Sequence, residues 1–236
     1  MTIAIMQPYF FPYIGYFSLI KHTDKFILFV TVQFIYHGWI ERNRILKPSV
    51  GWQYVHVPLI KHSQATIIKD IVINNDLAWK ERIIAQLQHY KKTAPHYPKV
   101  IELVKEVFSR KYTSIVDLNL SGLMCVCEHL NIHTPLEIYS TMGLEIEPVR
   151  APDEWALNIC RAMNGVTEYW NPIGGKDIFD RSKYRDGKLK LCFHRTNMAA
   201  YNQMRPGFET GLSIIDVLMF NSVEEVNRML DDYELL

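Results

Sequence analysis

Ile3-Ala4-Ile5-Met6-Gln7-Pro8-Tyr9-Phe10-Phe11-Pro12-Tyr13-Ile14-Gly15-Tyr16 is the stretch that decides the fold. Ile3 to Met6 is an unbroken apolar run and reads as a buried strand. At Gln7 it gives way to a segment dense in proline and aromatic rings. Residues 13–22 then read as a short helix, and the apolar run 26–32 as a second strand. Strand, loop, helix, strand is a βαβ unit, which places the two strands side by side and parallel. Sheets of this kind receive ligands outside the carboxyl ends of their strands. The segment from Gln7 to Tyr16 occupies such a place. A second polar and aromatic cluster, His37-Gly38-Trp39-Ile40-Glu41-Arg42-Asn43-Arg44-Ile45, follows the second strand.

Beyond this unit, 39–46 and 52–59 alternate apolar and polar residues about Gly51, the pattern of a hairpin attached to the sheet. Residues 67–73 are read as a further strand. The middle is helical: Asp76 is placed to cap 77–90, Pro98 opens a helix reaching Arg110, and 114–130 carries apolar residues at helical spacing. A strand at 136–139 returns to the sheet. Pro152-Asp153 then opens a helix through Met163, strands follow at 167–170 and 189–194, and helices at 213–220 and 223–233. The fold class expected is α/β, a mixed central sheet begun by an N-terminal βαβ unit. The expected organisation is one α/β domain over residues 1–236, with 76–131 as a helical subdomain or a cover over one face.

Composition narrows the function classes. The chain has 236 residues, 48% hydrophobic and 12% aromatic, enough to bury a sizeable core. Its 26 basic and 25 acidic side chains nearly cancel, so nothing in the charge points to nucleic acid or a membrane surface. No apolar run approaches the ~20 residues of a membrane span. The N-terminus lacks a signal-peptide pattern, which makes a cytoplasmic location the default. Cys125, Cys127, Cys160 and Cys192 contain no CxxC pair and read as reduced structural thiols, with no metal site implied.

The quoted blocks resemble the WbqC-like proteins. The matching text is Ile5-Met6-Gln7-Pro8-Tyr9-Phe10-Phe11-Pro12, Gly15-Tyr16-Phe17, Gly38-Trp39-Ile40, Arg42-Asn43-Arg44-Ile45, Asn171-Pro172-Ile173-Gly174-Gly175 and Leu212-Ser213-Ile214-Ile215-Asp216-Val217. The blocks occur in the family's order along nearly the whole chain. The resemblance implies a place among bacterial surface-polysaccharide and O-antigen genes. It also implies glycine or related aminoacyl transfer to an amino sugar. One departure stands out: where the family often carries two aspartates ending the second strand, this chain has Val30 and Thr31. The layout is also similar to the HUP (Rossmann-like) nucleotidyl-transfer fold of pantothenate synthetase, though the paired histidines of that fold are missing.

The candidate site residues follow from chemistry. Gln7 ends a buried strand with an amide whose donors and acceptor need partners, either the proline-rich loop or a ligand. Tyr9 and Tyr16 belong to an aromatic set that either packs the core or stacks on a sugar or base. Arg42 and Arg44 alternate on a strand and share a face, with Asn43 on the other. They are read as a phosphate or carboxylate clamp, or as surface ion pairs. Asn171, Gly174 and Gly175 form either a tight turn or a set of amides presented to an anion. Asp216 sits in an apolar segment and His37 beside the arginines; these are the candidates for proton transfer. No Ser-His-Asp order, HExxH, GxGxxG or Walker motif is present.

The expected partner is a sugar nucleotide or other small anionic substrate; the sequence identifies no cofactor and no oligomeric state. Three functions are open: acyl or aminoacyl transfer to an amino sugar nucleotide, a non-catalytic sugar-nucleotide or partner-binding module, and an ATP-dependent amide-forming enzyme working through an acyl adenylate.

Overall fold

The computed structural model describes residues 1–236. Strand β1 (Thr2–Met6), helix α1 (Ile14–Lys21) and strand β2 (Lys25–Leu28) form the βαβ unit, with the strands parallel and Ile5 opposite Ile27. Alternation sends Ile3, Ile5 and Ile27 to one face and Ala4, Phe26 and Leu28 to the other, and all six are buried. That is why the run is apolar throughout: both faces of the sheet are covered.

Strand β2 stops at Leu28, short of the expected 32. Beyond it, the carbonyls of Val30 and Val32 accept from Lys69 N at 2.9 Å and Ile68 N at 3.0 Å. These donors belong to a 3-10 turn, Ile68–Asp70, which stands where a strand over 67–73 is expected. Flanking residues make only isolated bridges, Gln33 with Ile67, Leu59 with Ile73 and Val72 with Ser114.

The hairpin is present as β3 (Arg42–Leu46) and β4 (Trp52–His56), antiparallel, with Gly51 at φ +80° in the turn. It is a separate two-stranded sheet, not an extension of the central one. It packs instead on helices, β4 on α2 (Trp79–Leu87) and β3 on α7 (Ile214–Phe220).

Helix α2 begins after Ala78, and Asp76 does not cap it; Asp76 N donates to Asn74 Oδ1 at 3.1 Å in a local turn. Helix α3 (Tyr97–Ser109) carries Pro98 in its first turn, and Ser114 caps α4 (Ile115–His129) by accepting from Val116 N at 3.1 Å. Buried residues of α2, α3 and α4 share one continuous core with α1 and with Ala4, Phe26 and Leu28.

The chain continues through β5 (Leu136–Ile138), α5 (Glu154–Ala162), β6 (Glu168–Pro172), α6 (Arg181–Asp186) and β7 (Lys190–Thr196). It ends with α7, α8 (Val223–Asp231) and β8 (Tyr233–Leu235). Helix α5 lies on the opposite face, where Ala156, Leu157 and Ile159 join Ile3, Ile5, Tyr169 and Phe193 in a second core. The six-stranded order is β5-β2-β1-β6-β7-β8, parallel except for β8. From β1 the chain winds outward through β2 and β5, then returns to the other side of β1 as β6. The order therefore reverses between β1 and β6, at the ends marked by Gln7 and Asn171. That is the position where doubly wound sheets open a crevice.

Candidate functional site

A cavity of about 640 Å³ opens at this reversal. It is lined at the ends of the central strands by Met6 of β1, by Gln7 just beyond it, and by Asn171 and Pro172 of β6. Tyr9, Tyr13, Trp39, Phe29, Trp155 and Phe179 add aromatic lining.

The Gln7 side chain forms no hydrogen bond within the protein, although its backbone carbonyl accepts from Tyr16 Oη at 2.8 Å. Tyr16 is fully buried behind the loop and does not line the cavity; burial holds its hydroxyl well above the usual phenol range. Tyr9 and Tyr13 do line it, and burial raises both.

Three side chains from distant elements hold the proline-rich loop. Asn43 Nδ2 donates to Phe10 O at 3.0 Å and Phe11 O at 2.8 Å, while its Oδ1 accepts from Arg44 N at 2.8 Å. Asn119 Nδ2 donates to Pro8 O at 2.8 Å and Ile40 O at 2.9 Å. Ser213 Oγ donates to Phe11 O at 2.7 Å. Phe11 itself sits at φ +39°, an unusual region for a side-chain-bearing residue, held there by these contacts.

The two arginines share a strand face but diverge in environment. Arg42 leans over the Tyr54 ring, its Cζ 4.1 Å from the centroid, and donates to the carbonyls of His37 and Gly38. It does not line the cavity. Arg44 does. Its Cζ lies 5.3 Å from the Trp39 ring and 5.1 Å from the Trp52 ring, and its Nη2 donates to Gly211 O at 2.9 Å. Its Nε is buried without a partner, and no carboxylate pairs with it.

Asn171 is buried, its Nδ2 donating to Tyr169 Oη at 2.7 Å. The turn that follows brings Gly175 so close that a Cβ there would lie 2.2 Å from Asn171 Oδ1. A Cβ on Gly174 would meet nothing within 4 Å.

The two residues expected to move protons lie off the cavity wall. His37 is exposed at φ +62°, in a turn closed by Glu41 Oε1 accepting from His37 N at 3.1 Å. Asp216 is fully buried, accepting from Tyr90 Oη and Tyr201 Oη at 2.5 Å each and from Gln203 Nε2 at 3.2 Å. Burial raises its carboxyl to about 6, against the lowering effect of those donors. Tyr90 Oη also accepts from Leu46 N at 2.9 Å, so the cage ties β3 to α7. Val30 is buried and Thr31 Oγ1 is buried without a partner; neither lines the cavity, though the adjacent Phe29 does.

The structure thus gathers Gln7, Tyr9, Asn43, Arg44, Asn171, Gly174 and Gly175 around one cavity, and leaves Tyr16, Arg42, His37 and Asp216 outside it. The sequence did not single out Phe29, Trp155, Phe179, Met198 or Gly211 as site residues. Trp155 had a signal, an aromatic residue just after a helix start at a strand-connecting segment. Gly211 contributes a backbone carbonyl, for which residue type gives no cue.

These features define a doubly wound α/β protein with a ligand-sized cavity where its strand order reverses. The chain belongs to the WbqC-like protein family, whose model matches residues 7–228 and so begins at Gln7 itself. It is also 27% identical over 222 residues to the uncharacterized protein Rv1507c of Mycobacterium tuberculosis, a match covering 93% of each chain. No solved structure matches the chain.

Proposed function

We propose that the cavity binds a sugar nucleotide or closely related sugar phosphate, with Arg44 as the anion contact. The observation that carries this reading is the state of Arg44. A guanidinium on a cavity wall, flanked by two indoles, with a buried Nε lacking an acceptor and no carboxylate beside it, is a charge awaiting an anion. The aromatic walls suit a base or sugar ring, and the amides of Gln7 and Asn171 suit its hydroxyls.

In the finer reading, the bound compound is an amino sugar nucleotide of a surface-polysaccharide pathway that accepts a glycyl or related aminoacyl group. Here the cavity supports binding more strongly than proton transfer. Its ionisable wall residues are Arg44 and tyrosines whose hydroxyls burial raises, and neither is a base near neutral pH. A holding role for the sugar nucleotide is therefore the better-supported form, with transfer as its extension.

Calorimetric titration with sugar nucleotides, alongside mass spectrometry for an acylated sugar, tests both levels. Saturable binding lost in Arg44→Ala is expected. Absence of binding for every sugar nucleotide and sugar phosphate tried would sink the proposal, whereas binding without turnover would remove only the transferase extension.

A further inference from the structure

Cations also converge away from this cavity. A second cavity, of about 380 Å³, opens between the β3–β4 turn, the 3-10 segment Gln88–Lys92 and the loop preceding α7. Lys47, His89, Lys92 and Arg205 line it, and no aspartate or glutamate does. The chain as a whole has 26 basic and 25 acidic side chains, so this is a local excess. Lys47 and Lys92 are exposed and make no ion pair. Arg205 is fixed in place, donating to Ser49 O at 3.2 Å and Gly51 O at 3.1 Å, with Glu209 3.8 Å away.

His89 adds an independent observation. Its Nδ1 lies 2.8 Å from Gln86 O. A carbonyl only accepts, so Nδ1 carries the proton. Its Nε2 is buried with no partner. The ring lies tilted against Tyr90, 4.1 Å between centroids, and burial together with Arg205 holds its pKa below the usual imidazole value. The neutral ring therefore keeps an unpartnered lone pair, on a residue that lines a cavity rich in cations. A phosphate resolves both features. Its P–OH donates to Nε2, or the ring takes a proton from solvent and Nε2–H donates to a phosphate oxygen, while the lysines balance the anion's charge.

We propose that this second cavity is a phosphate-binding site, for inorganic phosphate or a phosphate monoester, held by Lys47 and Lys92 and completed by Nε2 of His89. It stands independently of the cavity at Arg44.

The test is a nuclear magnetic resonance titration of the histidine rings of the full chain. The probes are inorganic phosphate and glucose 1-phosphate, with chloride at matched ionic strength as the control. His89 resonances should move on saturation with at least one phosphate compound, and the ring should titrate at higher pH in its presence. The double variant Lys47→Ala/Lys92→Ala, at exposed positions, should weaken binding by about tenfold or more, while Arg44→Ala should leave it unchanged. A preference between the two probes tells whether the ion or the ester is the better ligand. The proposal fails if chloride reproduces the shifts, if His89 stays fixed in both phosphates, or if the lysine variant binds like the parent. It also fails if Arg44→Ala abolishes the effect.

Discussion

Arg44 Nη2 donates to the carbonyl of Gly211 at 2.9 Å, and the backbone returns the contact close by, Ser213 N donating to Arg44 O at 2.9 Å. Residues far apart in sequence thus set the direction of the one guanidinium on the cavity wall. Gly211 sits at φ +65°, and a Cβ there would lie 3.2 Å from Arg44 Nη2, so the close approach depends on glycine.

Arg44→Lys should separate charge from geometry. A lysine keeps the charge but loses the planar fork and the stacking between Trp39 and Trp52. Affinity for a sugar nucleotide should fall about tenfold or more, while stability changes by only about 1 kcal/mol, the scale of one hydrogen bond. Calorimetry and thermal melts read the two effects separately. Equal binding by the lysine variant would show that only the charge matters.

The paired glycines make a sharper contrast. In Gly175→Ala the new Cβ would meet Asn171 Oδ1 at 2.2 Å, so the turn or the buried amide must move. A loss of about 1–3 kcal/mol is expected. Gly174→Ala meets nothing within 4 Å and should melt like the parent. Because both line the cavity, only the melting temperatures discriminate; a matched drop in both would mean that the Asn171 contact is not what fixes Gly175.

The fold was legible where burial dictates residue type. Ile3 to Met6 and the start of β2 are apolar because both faces of the sheet are covered, and Ser114 and Pro98 mark helix starts by local chemistry. Helix α6 leaves no periodic apolar signal because Arg181–Asp186 is nearly all polar and buries only Tyr184. Strand β8 has no sequence signal of its own: the expected helix takes in Tyr233, and Tyr233–Leu235 is only three residues long and gains its identity by pairing with β7. The 3-10 turn at Ile68 was hidden in a β-branched run whose tertiary bonding overrides its propensity. In the site, Gln7 and Asn171 were readable as polar residues ending buried strands. Arg42 and Arg44 look alike in sequence; one faces Tyr54 and a turn, the other two indoles and a cavity, which only the packing decides.

Asp216 predicts an unusual pH dependence. Its carboxyl is raised to about 6 from the ordinary aspartate value of 3.8, mainly by burial. A raised folded pKa means that the native state binds the proton more tightly than the unfolded chain. The group's contribution to stability is therefore fullest below its unfolded pKa and is lost as pH rises through about 6. The shift corresponds to about 3 kcal/mol across that window. Asp216→Asn should flatten this component, so the difference in unfolding free energy between parent and variant should change with pH between about 4 and 6. Denaturant unfolding across that range measures it. A pH-independent difference would mean that Asp216 titrates alike in both states.

Asn43 is expected to matter for the loop's shape before it matters for any ligand. It is buried, and two of its three hydrogen bonds join β3 to the carbonyls of Phe10 and Phe11, while the third is accepted from Arg44 N within the strand. Asn43→Asp preserves size while replacing two amide donors with an acceptor facing two carbonyls. The aspartate must either stay protonated in a buried place or force the loop away. Asn43→Ala removes the donors without adding repulsion and should cost about 1–3 kcal/mol, chiefly for the stranded carbonyl of Phe10, since Phe11 O keeps Ser213 Oγ as a donor. The aspartate variant should be the less stable of the two at neutral pH and should recover part of the difference on acidification, as its carboxyl protonates and regains one donor. Unfolding of both variants at two pH values settles the order. If alanine proves the worse replacement, the contribution of Asn43 is packing volume, and the loop from Gln7 to Tyr13 is held mainly by Asn119 and Ser213.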